Sequence, residues 1–482
     1  MTLNLNFGVI LPEILFLLVA SFIFLVDKFV KNKGYAFYLS LFTLALGTIL
    51  VLFSHFGTFT HAYQSDFYSA ALKILFTFGT MLILFISYNY LKDYARLDYG
   101  EYYALLIFSL LGGYFMISAM DLITVDLSME LMSFPVYILI ALNFLENKKS
   151  LEGAIKYFLL GSLGGVFFLM GVCVIYYYTH SVDFSVISKV LNTAALSKGI
   201  LLGFLLMLTG FSIKLSLVPF HMWSPDAYES APVPITSFIA GLVKFIVIAT
   251  LVKIIILGFG GIKTEIGKLI IPIALLTILI GNTLAVKQDN IIRMLAYSSI
   301  AHAGYAILGV ISADYIGYSF TILYMFIYML MTIGTFSILI VLARKDKNLL
   351  WIPNLKGLSK SSPFLSFLFL IFMFSLAGVP PTAGFIAKLY LFMALVKAHY
   401  VLVAVIAILF SVIGAYPYLR VLKVIYMEDT EEKHSFSYGV SFLVPALLTS
   451  FLIIVIGIYP KPWTELAYKT VYFYLTMLFY TH

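Results

Sequence analysis

Long apolar runs alternate with short polar connections from one end of the chain to the other. Crossing the hydrocarbon core of a bilayer as a helix takes about 20 mostly apolar residues, and about fourteen such runs fit on this chain. They begin near Val9, Tyr35, Tyr68, Tyr102, Leu122, Ala154, Gly199, Pro232, Ile266, Met294, Tyr318, Phe364, Tyr400 and Gly439. The tenth, from Met294 to Ile311, is short, and the seventh and twelfth are interrupted. The stretch after Pro462, with Lys469 and several tyrosines, reads as an interfacial tail. No connection is long enough to fold alone, so the pattern predicts an all-α polytopic membrane protein with a single integral membrane domain over 1–482.

The two interruptions have a common make-up. Phe211 to His221 contains Lys214 and Pro219, and Trp223 to Pro232 follows with Pro225 and Asp226. Ala377 to Lys388 contains Gly378, Pro380, Pro381 and Gly384. Proline removes a backbone N–H and clashes with the preceding turn. Unpaired backbone cannot face lipid tails, so such breaks must face protein or a wet cavity. Broken helices at corresponding places in two halves are a mark of transporters built from inverted repeats. The reading is helices one to three over about 1–95, a first five-helix repeat over about 101–258, an inverted second repeat over about 265–427, and a last helix and tail over about 438–482.

Composition sharpens this. The chain has 482 residues, 62% hydrophobic and 11% charged, against about 25% charged in ordinary soluble proteins. Mean hydropathy is +1.03. The net charge of +7 is not a nucleic-acid signal, because the basic residues gather at helix ends. Lys28, Lys31, Lys33, Lys92, Arg96, Lys148, Lys149, Lys287, Arg293, Arg344, Lys345, Lys347, Lys356, Lys360, Arg420, Lys423 and Lys433 fall in connections of one side. Fewer fall on the other, which by the positive-inside rule puts both termini on the outer face. The lone cysteine, Cys173, excludes an internal disulfide and a cysteine-built zinc or iron–sulfur site in this chain alone. The first apolar run continues past Phe22 without a small-residue cleavage pattern, so it reads as a spanning helix. Gly258 to Thr264 only approximates a phosphate-binding loop, and Asp226 with Glu229 reads as helix capping more readily than as a metal pair.

What stands out against the apolar background is a set of ionisable residues inside the runs. An ionisable group at membrane depth costs from about 2.5 to 17 kcal/mol, which makes each one a functional candidate. Glu130 falls near the middle of the fifth helix and Lys244 at similar depth in the eighth. Lys214 lies just before the first break and Lys388 just after the second. Burial disfavours a charged amine and a nearby carboxylate favours it, so a lysine between the two can gain and lose a proton as its partner moves. His302, in the run Ser298 to Tyr305, suits a relay. Lys156 sits near its helix start, where snorkelling is an alternative, and Lys73 and Lys253 read as snorkels. Asp126 precedes Glu130 by one turn, so like charges share a face or Asp126 lines a wet cavity. These residues point to ion or proton translocation.

Pro219-Phe220-His221-Met222-Trp223-Ser224-Pro225-Asp226-Ala227-Tyr228, with Ala231-Pro232-Val233-Pro234, resembles the antiporter-like subunits of respiratory complex I. The chain looks most similar to the N subunit (ND2-type) of bacterial NADH:quinone oxidoreductase, on Leu11-Pro12-Glu13, the stretch Gly153 to Gly161, and Gly378-Val379-Pro380-Pro381-Thr382-Ala383-Gly384-Phe385. The M-type subunit usually has a glutamate where Lys388 stands, and the L-type carries a long lateral helix for which this chain stops too early. The resemblance implies fourteen spanning helices, two inverted repeats and a proton channel in which Glu130 and Lys214 pair, Lys156 stands nearby, Lys244 is central and Lys388 lies toward the exit. Asp126 departs from the family pattern, where an apolar or small residue is expected. The implied function is a proton-translocating membrane-arm subunit of the bacterial inner membrane. It has no cofactor of its own; flavin mononucleotide, iron–sulfur clusters and quinone serve other subunits. Its implied partners are the neighbouring antiporter-like subunit, small membrane subunits and lipid. A multi-subunit sodium/proton antiporter subunit and a passive membrane scaffold are the rival readings.

Overall fold

Apolar runs this long cannot leave backbone groups unpaired in lipid, and they become helices. The computed structural model of the chain describes residues 6–30, 34–54, 56–95, 100–142, 148–193, 197–312, 314–430, 436 and 438–480. The first helices are Leu11–Val26 (α1), Gly34–Phe53 (α2) and Phe67–Asn89 (α3), with a small hairpin of Gly57–Thr60 (β1) and Tyr63–Ser65 (β2) between α2 and α3. Then come Gly100–Ser118 (α4), Leu122–Ala141 (α5), Lys148–Thr179 (α6), Phe184–Thr193 (α7), Lys198–Leu215 (α8), Trp223–Ser230 (α9) and Val233–Ser237 (α10). A π-helical turn over Phe238–Val243 joins α10 to Lys244–Leu257 (α11). The second half holds Lys263–Val286 (α12), Ile291–Ile311 (α13), Tyr315–Lys345 (α14), Leu358–Ser361 (α15), Pro363–Ala377 (α16), Ala383–Lys397 (α17), Val401–Met427 (α18), Val440–Ile458 (α19) and Lys461–Tyr480 (α20).

Among the described residues, 12 helical stretches are long and apolar enough to cross a membrane, and Leu11–Val26 and Pro363–Ala377 are shorter apolar helices. Val233–Leu257 is buried throughout and Tyr315–Lys345 is buried from Gly317 to Ala343, so they form the axis of the bundle. A helix apolar on every face belongs inside. Val401–Met427 lies at the edge, with Leu402, Leu409 and Val412 turned outward. The tenth span is longer than its sequence suggests: Asn290 caps it, accepting from the Ile292 and Arg293 amides, so it starts at Ile291. The stretch read as an interfacial tail is helix α20, packed on α14 and α3 with Trp463 stacked against Phe326. Of the basic residues assigned to the inner side, Lys31, Lys33, Arg96 and Lys433 lie outside the described residues.

Both interruptions are real breaks, and both end the same way. Ser216 takes a left-handed φ of 59° and the Leu217 amide reaches back to the Ser212 carbonyl at 2.8 Å. Gly378 takes φ of 86° and the Val379 amide reaches back to Phe374 O at 2.9 Å. Each is the left-handed stop that closes a helix by a long return bond. A side chain from beyond each break also donates to a last-turn carbonyl: Trp223 Nε1 to Ile213 O at 3.0 Å, beside the Ser216 amide, and Lys388 Nζ to Ala377 O at 3.0 Å.

Candidate functional site

Helix α5 carries Glu130 and the last turn of α8 carries Lys214, and the bundle brings them together. Lys214 Nζ stands 3.0 Å from Glu130 Oε1. It also donates to Ser133 Oγ at 2.9 Å and Tyr137 OH at 3.0 Å. The amine is fully buried while the carboxylate keeps some exposure, 0% against 21% by side chain. Gly161 on α6 makes room for the Tyr137 hydroxyl, which any side chain there would displace. Tyr137 packs edge-on against Tyr157 of α6, which stacks on Trp223 of α9 at 4.1 Å, so the pair is walled by aromatic rings from three helices.

Lys244 opens α11, directly after the π turn, and points at α13. Its Nζ donates to Ser299 Oγ at 2.7 Å and Ser299 O at 3.1 Å, with the Tyr228 ring 5.9 Å away. Three residues further along α13 is His302, buried and stacked on Tyr328 at 4.6 Å. Its Nδ1 meets Tyr324 OH at 2.8 Å and its Nε2 meets Tyr418 OH at 3.4 Å, and Tyr418 in turn bonds Ser298. Three residues on again is Tyr305, whose ring lies 5.4 Å from Lys388 Nζ. Spacing of three and four residues places neighbours on one helix face. One face of α13 thus carries Ser298, Ser299, His302 and Tyr305 as a polar ladder between Lys244 and Lys388.

Lys156 is placed otherwise than its sequence position suggested. Helix α6 begins at Lys148, so Lys156 is not at a helix start; it lies at the bundle edge, 40% exposed by side chain. It bonds Glu152 at 2.6 Å and Asp226 at 2.7 Å. Asp226 also takes Arg293 at 2.8 Å, and Arg293 takes Glu229 at 2.7 Å. Asp226 and Glu229 are therefore ion-pair partners, not caps. They fasten the short helix α9 after the first break to the start of α13. A cavity of about 180 Å³ opens among Glu152, Asp226, Glu229 and Arg293. Burial opposes ionisation of Asp226, but hydrogen bonds from Lys156 and Arg293 outweigh it and hold this carboxyl, on a helix outside the spans, below the usual carboxylate range.

Lys73 and Lys253 are not snorkels. Lys73 is buried with Glu13 at 2.7 Å and Tyr63 OH at 2.7 Å, and Tyr63 closes the triangle on Glu13 at 2.6 Å. Lys253 is wholly buried and donates to Ile117 O at 2.8 Å. Sequence reasoning did not single out Ser133, Tyr137, Ser299 or Tyr305; helix period, which puts the first two on the Glu130 face and the last two beside His302, is the signal that could have found them. Nothing in sequence order signalled Tyr324, Tyr328 and Tyr418, which arrive from α14 and α18. Among the described residues, no three His, Cys, Asp or Glu gather as a metal site.

A family model described as NADH:quinone oxidoreductase/Mrp antiporter, transmembrane, matches residues 119–414, which contain both breaks and every candidate residue. NADH-quinone oxidoreductase subunit N of Nitrosomonas europaea is 36% identical over 458 residues, covering 93% of this chain and 95% of that protein. A chain of respiratory complex I from Thermus thermophilus superposes with a TM-score of 0.79 at 26% identity, over 95% of this chain and 99% of that one. A chain of the Mrp complex from Dietzia reaches a TM-score of 0.82 at 19% identity, over 96% of this chain and 97% of that one, which shows a shared fold.

Proposed function

The chain belongs to the NADH:quinone oxidoreductase/Mrp antiporter transmembrane family, and on that premise we propose that its two broken helices and the side chains between them form one proton path. It is a proton-translocating membrane-arm subunit of NADH:quinone oxidoreductase, a multi-span membrane protein of a respiratory complex. The observation that carries the path is the α13 ladder: Ser299, His302 and Tyr305 on one face of α13 stand between Lys244 of α11 and Lys388 of α17, with Lys214 and Glu130 paired at 3.0 Å on the other side of Tyr228 and Trp223.

In this reading, quinone reduction elsewhere in the complex reaches the chain as an electrostatic change that alters the separation of Glu130 and Lys214. With the carboxylate close, Lys214 keeps its proton. As it retreats, the proton passes toward Lys244. Lys244 already donates to Ser299, so its proton has a hydroxyl to enter. His302, held by Tyr324 and Tyr418, hands on toward Lys388, which releases outward. Lys156, with one carboxylate on α6 and one on α9, holds the mouth of the path at the inner side. The two breaks belong to the inverted repeats at about 101–258 and 265–427. The chain works in the bacterial inner membrane with both termini outside, against the neighbouring antiporter-like subunit and small membrane subunits. Flavin mononucleotide, iron–sulfur clusters and quinone act in other subunits.

The test is Lys214→Ala or Glu130→Ala in the assembled complex, read as proton pumping per NADH oxidised. Strongly reduced pumping is expected; normal pumping at normal assembly overturns the path. The Mrp-like fold keeps a sodium/proton antiporter subunit as the second reading. Co-purification with NADH dehydrogenase activity separates the two.

A further inference from the structure

Glu130 does not face Lys214 alone. One turn earlier on α5 is Asp126, 5% exposed, with its Oδ1 buried and without a hydrogen-bond partner. Both carboxylates look onto the same spot of α6. A methyl carbon at Gly165 would stand 3.2 Å from Glu130 Oε1 and 3.9 Å from Asp126 Oδ1. The charged groups near Asp126 are Glu130 from α5 and Lys214 from α8; Tyr137 bonds Lys214, and Tyr157 from α6 packs on Tyr137. The charges do not balance if all ionise: two carboxylates meet one ammonium in a place largely closed to water. Like charges so close in a low dielectric resist double ionisation, and a buried charge without a partner is costly.

The geometry points to a shared-proton site: Asp126 and Glu130 hold one proton between them over Gly165, so that Asp126 is a further proton-carrying residue of this chain. A metal cation is the poorer occupant. It asks for several oxygens, and among the described residues no third carboxylate or histidine joins the two. A proton needs only two. This rests on the proton path through Glu130 and Lys214. The step is balanced. With the shared proton on Asp126 Oδ1, Glu130 is a carboxylate facing the Lys214 ammonium; when that proton passes to Glu130 Oε1, Asp126 becomes the carboxylate, Glu130 a neutral acid, and the ammonium loses its partner and is free to give its own proton onward. The residue that loads Lys214 thus has a second store one helical turn away, and the Glu130 charge can be switched without Glu130 moving far.

The experiment uses the intact complex in proteoliposomes and reads two signals: infrared difference spectra during NADH oxidation, and protons moved per electron pair. The wild type is expected to show a carboxylic-acid carbonyl band that shifts in heavy water. That band should be lost in Asp126→Asn and in Glu130→Gln, and retained in Glu13→Gln, which alters a buried carboxylate elsewhere. Asp126→Asn should lower the proton-to-electron ratio, and Asp126→Glu should restore it. A band that survives in Asp126→Asn, or an unchanged ratio, overturns the shared proton. Should Asp126→Asn fail to assemble, Gly165→Ala decides, because its methyl presses on Glu130 Oε1. A shifted band supports the site and an unmoved one overturns it. Lys214→Ala keeps the two ideas apart. If it abolishes pumping while Asp126→Asn changes nothing, only the shared proton falls; if it leaves pumping intact, the whole path falls.

Discussion

Replacing Glu130 by glutamine tests the electrostatic switch with the least disturbance of shape. At an effective dielectric near 20, unit charges at the 3.0 Å separation of Glu130 and Lys214 attract by about 5.5 kcal/mol. Doubling the separation halves this, releasing nearly 3 kcal/mol, a factor of about 100 in a proton equilibrium. A movement of a few ångströms is therefore enough to load and unload Lys214. The glutamine removes the whole attraction, while Ser133 and Tyr137 still hold the amine. The variant should assemble, oxidise NADH and pump poorly. Inverted membrane vesicles, with a pH-sensitive dye following acidification and gel analysis following assembly, give the readout. Full acidification at full assembly refutes the reasoning, because it leaves the carboxylate with no part in the switch. Weak pumping that Glu130→Asp partly restores supports it.

Three other outcomes follow from the same geometry. Lys73→Met strands Glu13 as a buried carboxylate, a change that costs about 3–5 kcal/mol; less complex should assemble, at a lower melting temperature, with protons per electron unchanged in what remains. The double variant Glu13→Gln with Lys73→Met should recover much of the loss, and a change in pumping ratio instead would place the pair in the path. Asp226 is held ionised by Lys156 and Arg293, and a carboxyl held below its ordinary value near 4 stabilises the fold above that pH and loses this as pH falls through its folded value. Asp226→Asn should therefore flatten the acid limb of a thermal-stability profile below about pH 4, and an unchanged limb contradicts the ion-pair assignment. His302→Phe keeps the ring stacked on Tyr328 but deletes the bonds to Tyr324 and Tyr418; pumping should slow while assembly holds, and undiminished pumping removes His302 from the path.

The elements that sequence reading placed well were those set by local physics. Length and hydropathy marked the spans, because lipid enforces helical hydrogen bonding whatever the tertiary contacts. Proline and glycine marked the breaks near Pro219 and at Gly378; at Gly378 the left-handed turn belongs to glycine itself, whereas the first helix already stops at Ser216, three residues before its proline. The pairing of Glu130 with Lys214 was reachable through the resemblance. Depth was harder. Lys73 sits near a helix end and reads as a snorkel, yet Glu13 from α1 and Tyr63 from the hairpin converge on it. Lys156 shows the reverse: an amine inside an apolar run that faces outward, because α6 is long and its exposed edge carries Glu152 one turn before it. Asp226 and Glu229 look like caps until α13 delivers Arg293. In each case the deciding partner is distant along the chain, and nothing in local periodicity announces it. The same holds for Tyr324 and Tyr418 around His302.

The most direct measurement of the central claim is the number of protons moved per electron pair by the purified, reconstituted complex bearing Lys244→Met. Lys244 is buried and its amine donates to Ser299, so methionine keeps its apolar bulk and removes the proton with its bonds to Ser299. A lower ratio, with NADH oxidation and assembly preserved, is the expected result. A ratio equal to that of the wild type would contradict the claim that these enclosed amines pass protons across the membrane.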